Sequence, residues 1–116
     1  MTPITITYFS DVLCIWAYVA QARVDAIKRT FPGEVRLDYR FVSVFGDTQR
    51  KIGDGWRDRG GFTGYAGHVA GIAKRFDHVA LGPAVWTAVQ PASSLSPHLF
   101  LSAVLEWERT RIPAAA

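Results

Sequence analysis

Two segments near the N-terminus have the alternating pattern of β-strands. In the first, Ile4–Phe9, threonines alternate with Ile6 and Tyr8, and the segment is rich in β-branched and aromatic residues. In the second, residues 35–42, apolar residues at every second position alternate with charged ones from Arg36 to Arg40. This period of two predicts a second strand with one buried face.

Apolar residues between these strands follow one face of a helix. They are Trp16, Ala20, Val24, Ile27 and Phe31. The spacing predicts a helix from about Ile15 whose apolar stripe, Trp16 included, packs in the core. Pro32 and Gly33 end it. The order β-α-β predicts two parallel neighbouring strands joined by a right-handed connection.

The pattern after Val44 is helical and interrupted by glycine. Residues 45–64 predict a long loop with a short helix near 50–57. Helical spacing then returns at four apolar positions, and a short helix or turn is expected around Trp86 and Val89. The four positions are Tyr65, Val69, Ile72 and Phe76.

The last predicted helix follows a serine-rich stretch. Ser96 as the cap with Pro97 in the first position fits its start, and Ser93 and Ser94 are alternative caps. The segment from His98 to Trp107 is apolar on most sides, so we expect a buried helix, with His98 in the core or between helices.

Composition narrows the classes of function. The chain has 116 residues, of which 49% are hydrophobic and 20% charged, as expected for one folded domain. The formal charge is +3, but basic and acidic residues are interleaved, so we expect no nucleic-acid partner. No apolar stretch approaches the length of a membrane span, and no membrane partner is expected. The N-terminus lacks a signal-peptide pattern, which makes the cytoplasm the expected compartment.

One cysteine, Cys14, is the main candidate for chemistry. A single cysteine cannot form an intrachain disulfide. The three histidines have no metal-ligand spacing, so no metal site is expected. Cys14 falls at the predicted start of the first helix, where free N–H groups and the helix dipole favour an anion. A thiolate is stabilised there, and thiolates are the reactive form of cysteine. The alternative is a small buried thiol without a chemical role.

The segment around Cys14 resembles a known family. After the first strand the chain reads Phe-Ser-Asp-Val-Leu-Cys-Ile-Trp-Ala-Tyr, residues 9–18, and then enters the helix. This arrangement resembles the DsbA-like thioredoxin-fold family, which includes the FrnE-type oxidoreductases and, more distantly, the 2-hydroxychromene-2-carboxylate isomerases and kappa-class glutathione transferases. The oxidoreductase motif is Cys-Pro-Trp-Cys-Tyr or close to it. Here Ile15 replaces the proline and Ala17 replaces the second cysteine. Pro91–Ser94 ahead of a helix containing His98 also resembles the FrnE-type branch.

The resemblance implies an α/β fold. Residues 1–44 would form the N-terminal β-α-β part of a thioredoxin-like domain, and residues 45–116 a loop and an inserted α-helical region. The family's later thioredoxin elements, two antiparallel strands with a cis-proline loop and a helix, would be missing from this chain. The first strand would then expose an edge, so we expect isolated 1–116 to dimerise, aggregate or be partly unfolded.

The resemblance also implies a thiol–disulfide oxidoreductase with Cys14 as the catalytic nucleophile. Ser10, Ile15 and Trp16 lie in the same motif and are the candidate binding residues. No tightly bound cofactor is expected; glutathione is the expected co-substrate, since Ala17 cannot resolve a mixed disulfide. Two alternatives remain: a glutathione-dependent isomerase or transferase, and a catalytically inactive thioredoxin-like fragment that binds a partner or forms a homodimer. A buried Asp11 close to Cys14 would oppose thiolate formation.

Overall fold

The computed structural model describes residues 2–111 and begins with a parallel pair of strands. Strand β1 spans Ile4–Ser10, helix α1 spans Ile15–Thr30, and strand β2 spans Val35–Phe41. The strands pair in parallel, with Ile4 opposite Val35 at one end and Ser10 opposite Phe41 at the other. The predicted β-α-β order and the parallel pairing are therefore confirmed.

The rest of the described chain is helical. Two short turns, a π-helical one at Gln49–Asp54 and a 3₁₀ one at Arg57–Arg59, stand where one short helix was predicted. Helix α2 spans Gly61–Ala73, a π-helical turn spans Val85–Val89, and helix α3 spans Leu95–Arg111. The apolar spacing predicted α2 correctly, because Tyr65, Val69 and Ile72 are all buried.

Two glycines form the junction between the 3₁₀ turn and α2. Gly60 has φ 95°, a left-handed conformation that glycine adopts at little cost. Gly64, one turn into α2, lies so close to the preceding backbone that an added Cβ would stand 1.8 Å from the Arg59 carbonyl oxygen. The glycine content of this region therefore permits a close approach between the turn and the helix.

The hydrophobic core lies beside the sheet, among the helical segments and the start of α1. Its members come from α1, the loop after β2, the turns and α2: Ile15, Phe45, Ile52, Tyr65, Val69, Ile72 and Trp86. The sheet contributes little to it, since Ile4 is 69% exposed and Phe9 is 62% exposed. The radius of gyration is 16.9 Å, compared with about 13 Å for a compact chain of similar length.

The structure corrects the predicted core position of Trp16. Its side chain is 48% exposed and packs edge-on against Phe76, with ring centroids 6.2 Å apart. Ile15 takes the buried place at the start of α1, and Phe31, at the other end of the stripe, is also exposed. The stripe is offset because the core lies against the first turn of α1 and leaves the neighbouring face open.

Helix α3 begins where the alternative cap Ser94 places it, and it is less buried than predicted. It begins at Leu95, so Ser94 precedes it and Pro97 lies in its first turn, where a missing N–H breaks no helical hydrogen bond. Only His98 is buried, while Leu99, Phe100 and Trp107 are each more than half exposed. The prediction of a buried helix was wrong because α3 packs on β2 along one side only.

Within residues 2–111, no helix is both long enough and apolar enough to cross a membrane.

Candidate thiol site

Cys14 is the cap residue at the N-terminus of α1. Its backbone is extended, with φ −85° and ψ 119°, and its carbonyl oxygen accepts the N–H groups of Ala17 and Tyr18 at 3.1 and 3.3 Å. The thiol is partly exposed, and the first turn of α1 contains no acidic residue. Cys14 therefore lies at the end of α1 that has unpaired N–H groups and the positive end of the helix dipole.

The turn before Cys14 is fixed by the carboxylate of Asp11, which is 2% exposed. Its Oδ1 accepts the Leu13 N–H at 2.8 Å, and its Oδ2 accepts the Phe45 N–H at 2.9 Å and the Ser94 hydroxyl at 2.7 Å. The carboxylate thus joins the Cys14 turn to the loop after β2 and to the residue before α3. Three donors compensate its burial.

His98 supports the same turn from α3. Its Nε2 accepts the Val12 N–H at 3.1 Å, so the ring is neutral and carries its proton on Nδ1, which donates to the Ser43 hydroxyl at 3.1 Å. The ring stacks on Phe41 with centroids 4.8 Å apart. Although Nε2 lies 3.6 Å from Asp11 Oδ1, a neutral ring that accepts at Nε2 forms no ion pair there.

Two tyrosines within electrostatic reach of Cys14 are held in the neutral form. Burial, with smaller contributions from a Cys14 thiolate and from Asp11, raises the pKa of Tyr65 to about 12. Burial, with smaller contributions from Cys14 and Tyr39, also raises the pKa of Tyr8. At physiological pH both phenols are therefore uncharged neighbours of the thiol.

Cys14 lines two grooves. The larger, of about 550 Å³, lies between the start of α1, α2 and the segment before the Val85–Val89 turn. Its lining is mainly apolar, with Tyr18, Val69 and Trp86 among the large side chains, and Lys74 is the only charged residue among the described residues that line it. The smaller groove, of about 380 Å³, lies between α1 and the sheet. A molecule in either groove would therefore lie next to Cys14.

The predicted binding residues occupy different environments. Ser10 lines the smaller groove with Cys14, and its carbonyl oxygen accepts the Val42 N–H within the sheet. Ile15 is 6% exposed; it belongs to the core and also lines the larger groove. Trp16 lines neither groove. The structure therefore brings Ser10 and Ile15 to the site and leaves Trp16 outside it.

Sequence reasoning missed most of the groups that surround Cys14. Asp11 carried a local signal, since an aspartate just before a helix is a typical turn residue. His98 carried none that links it to Cys14, because it lies 86 positions beyond Val12, its partner in the hydrogen bond. The sequence pattern predicts Tyr8 in a strand and Tyr65 on the apolar stripe of a helix, and neither prediction relates them to the thiol.

The other histidines lie outside this site. His68 packs on Trp56 with centroids 5.1 Å apart, and the Nε2 of His78 is hydrogen-bonded to the Val19 carbonyl oxygen at 3.1 Å. Within the described part of the chain, no group of three or more His, Cys, Asp or Glu side chains could hold a metal ion.

A scan against protein-family models finds no match, and none is found among the curated proteins or the solved structures. The elements themselves place the chain in the mixed α/β class of folds, with two parallel strands followed by helices.

Proposed function

We propose that this chain is a monothiol oxidoreductase of the DsbA-like thioredoxin-fold family, in which Cys14 exchanges disulfides with small thiols or protein thiols. The observation that carries the proposal is the position of Cys14 as a partly exposed cap of α1 that lines two grooves. Helix N-termini stabilise thiolates, and the thiolate is the attacking species.

The proposed reaction has two exchange steps. The Cys14 thiolate attacks one sulfur of a disulfide, a mixed disulfide forms at Cys14, and the other sulfur leaves as a thiolate. An outside thiolate, for which glutathione is the chemical model, then attacks the substrate sulfur of the mixed disulfide and releases the Cys14 thiolate. One half of the entering disulfide leaves as a thiolate, and its other half ends in a new mixed disulfide with the outside thiol. Cys14 is the only cysteine, so no internal thiol performs the second step.

Local charges around Cys14 act in both directions. The N–H groups of α1 favour the thiolate, whereas the Asp11 carboxylate opposes it. Hydrogen bonds from Leu13, Phe45 and Ser94 partly neutralise that carboxylate, and the two nearby tyrosines remain uncharged. The proposal requires that Cys14 react faster in the folded chain than in an unfolded one.

The rate of reaction with oxidised glutathione tests this proposal. The folded chain should form the mixed disulfide at Cys14 severalfold faster than the same chain in concentrated urea, because unfolding removes the α1 N-terminus from the thiol. Mass spectrometry of the intact chain measures the rate, and Cys14→Ser should show no adduct. A folded chain that reacts no faster than the unfolded one would contradict the proposal.

A second candidate is supported by the larger groove. Its volume of about 550 Å³ and its mainly apolar lining suit a small apolar substrate, as a glutathione-dependent isomerase or transferase would require. That branch of the resembled family more often has serine at the first motif position, so Cys14→Ser should keep conjugation of glutathione to an apolar electrophile. Under the oxidoreductase proposal, the same variant loses all exchange activity.

A further inference from the structure

Strand β1 has one edge that pairs with β2 and one that pairs with nothing among residues 2–111. The Ile4 N–H donates to the Glu34 carbonyl oxygen, and the Ser10 carbonyl oxygen accepts the Val42 N–H, each at 2.9 Å. Since backbone groups alternate sides along a strand, the even-numbered residues face β2. Thr5, Thr7 and Phe9 therefore direct their N–H and C=O groups to the open edge.

The open edge has none of the features that prevent strands from pairing with other chains. The strand reads Ile-Thr-Ile-Thr-Tyr-Phe-Ser, so it has no charged residue and no proline, and its register with β2 contains no bulge. Ile4 and Phe9 are 69% and 62% exposed. A two-stranded sheet is marginal by itself, and further strands stabilise it.

We propose that β1 pairs antiparallel with β1 of a second copy of this chain. Thr7 lies on the two-fold axis opposite Thr7 of the second copy, and Thr5 lies opposite Phe9. The result is a four-stranded sheet in the order β2-β1-β1-β2. This inference does not depend on the proposed thiol chemistry.

Hydrogen bonding selects this register. In an antiparallel ladder, directly opposed residues that face the partner exchange two hydrogen bonds. With Thr7 on the axis, every outward-facing residue of β1 has such a partner: Thr5 with Phe9, Thr7 with Thr7, and Phe9 with Thr5. Moving the register by one pair in one direction sets Phe9 against Pro3, which has no N–H. The opposite move sets Thr5 against the buried Asp11.

Side chains favour a second copy as the occupant of the edge. In this register Ile6 lies opposite Tyr8 of the second copy, on the face that β2 lines with Val35 and Leu37. The apolar face therefore continues across the axis. No charged side chain of β1 meets a like charge, because β1 has none. Helix α3 packs on β2, the strand away from the axis.

Two cysteine variants in a Cys14→Ser background test the register. Across the axis the Thr7 Cα atoms should be about 5.5 Å apart, a separation that a disulfide spans. Thr5 has the same orientation, but its copy lies four residues along the opposite strand, roughly 13 Å away. Mild oxidation should therefore give a covalent dimer with Thr7→Cys and little with Thr5→Cys.

Sedimentation of the parent chain over a range of concentrations should show a monomer–dimer equilibrium. Thr7→Lys sets two like charges opposite each other at the axis and should weaken the dimer about fivefold or more, whereas Thr7→Val should leave it unchanged. Circular dichroism of each variant monitors the fold. A parent chain that stays monomeric throughout, or equal cross-linking by Thr5→Cys and Thr7→Cys, would overturn the proposal.

Discussion

Asp11 and His98 show how two buried polar residues can organise the loop that holds a thiol. Asp11 fixes the Cys14 turn from within, and His98 holds the Val12 N–H from α3. Removing Asp11 would leave the buried Phe45 N–H and Ser94 hydroxyl without this acceptor, and removing His98 would leave the partly buried Val12 N–H without one. The position of Cys14 therefore depends on a residue at the start of α3.

Replacing His98 tests this dependence. His98→Leu keeps much of the volume next to Phe41 but leaves the Val12 N–H without its acceptor, so the free energy of unfolding should fall by about 1–3 kcal/mol. His78→Leu, which removes a hydrogen bond from an exposed histidine, should cost less than about 0.5 kcal/mol. Urea denaturation measures both. Equal losses in the two variants would mean that His98 contributes no more than an exposed histidine.

Tyr65 should make stability fall in strongly alkaline solution. Its pKa is about 12 in the folded chain, against a reference of 10.0, so the folded state holds the proton more tightly than the unfolded state. The contribution to stability is complete below pH 10 and is lost as the pH rises towards 12.

Melting temperatures between pH 9 and pH 12 measure this effect, and absorbance of the tyrosinate follows the ionisation. Tyr65→Phe should lose less stability over the same interval, while Tyr8, whose pKa is also raised, leaves a residual slope. If the variant and the parent chain lose stability equally, Tyr65 is not the group responsible.

Residue environments were the least predictable feature of the sequence. The sequence indicated that Cys14 lies at the start of a helix and that His98 lies in the core or between helices, and the structure places Cys14 directly before α1 and buries His98. It gave no indication that His98 and Asp11 meet near Cys14, because no local pattern relates residues so far apart. The exposure of Trp16 was also missed, since helical spacing defines a stripe but not which part of the stripe the core covers.

Helix α2 shows how two glycines of one helix can have opposite effects. Gly64 lies against the Arg59 carbonyl oxygen, whereas an added Cβ at Gly67 would meet nothing within 4 Å. The first glycine permits a close approach of two elements, and the second only lowers helix propensity.

Alanine at these two positions should therefore change stability in opposite directions. Gly67→Ala should raise the free energy of unfolding by about 1 kcal/mol, from helix propensity alone. Gly64→Ala should lower it, by about 1–3 kcal/mol, because the Cβ can be accommodated only if the turn before α2 moves. Thermal or urea denaturation measures both, and a stabilising Gly64→Ala would show that the turn and the helix are not in close contact.

Elements were more predictable than environments. Both strands and α2 followed from period-two and helical patterns, which result from the local geometry of the backbone. The start of α3 fits the alternative cap Ser94, two residues before the position that Ser96 and Pro97 indicate. Its burial was misjudged, because apolar residues on several faces of a helix do not specify how many of those faces find a partner.

At the scale of the whole molecule, apolar contacts are unevenly distributed. The core joins α2 to the first turn of α1 and to the two π-helical turns, whereas β1 and the distal part of α3 carry exposed apolar side chains. Elements with few buried contacts open locally at lower free energy than elements of the core. The resistance to opening should therefore differ between the helical core and α3.

Hydrogen exchange should reveal this difference. We expect the slowest-exchanging amides in α2, around the buried Val69 and Ile72, and exchange faster by at least about tenfold in the last two turns of α3, residues 105–111. Mass spectrometry of peptides at low protein concentration, where few dimers form, measures both segments in one experiment. Equal protection would mean that the exposed face of the distal part of α3, which includes Trp107, is covered in solution.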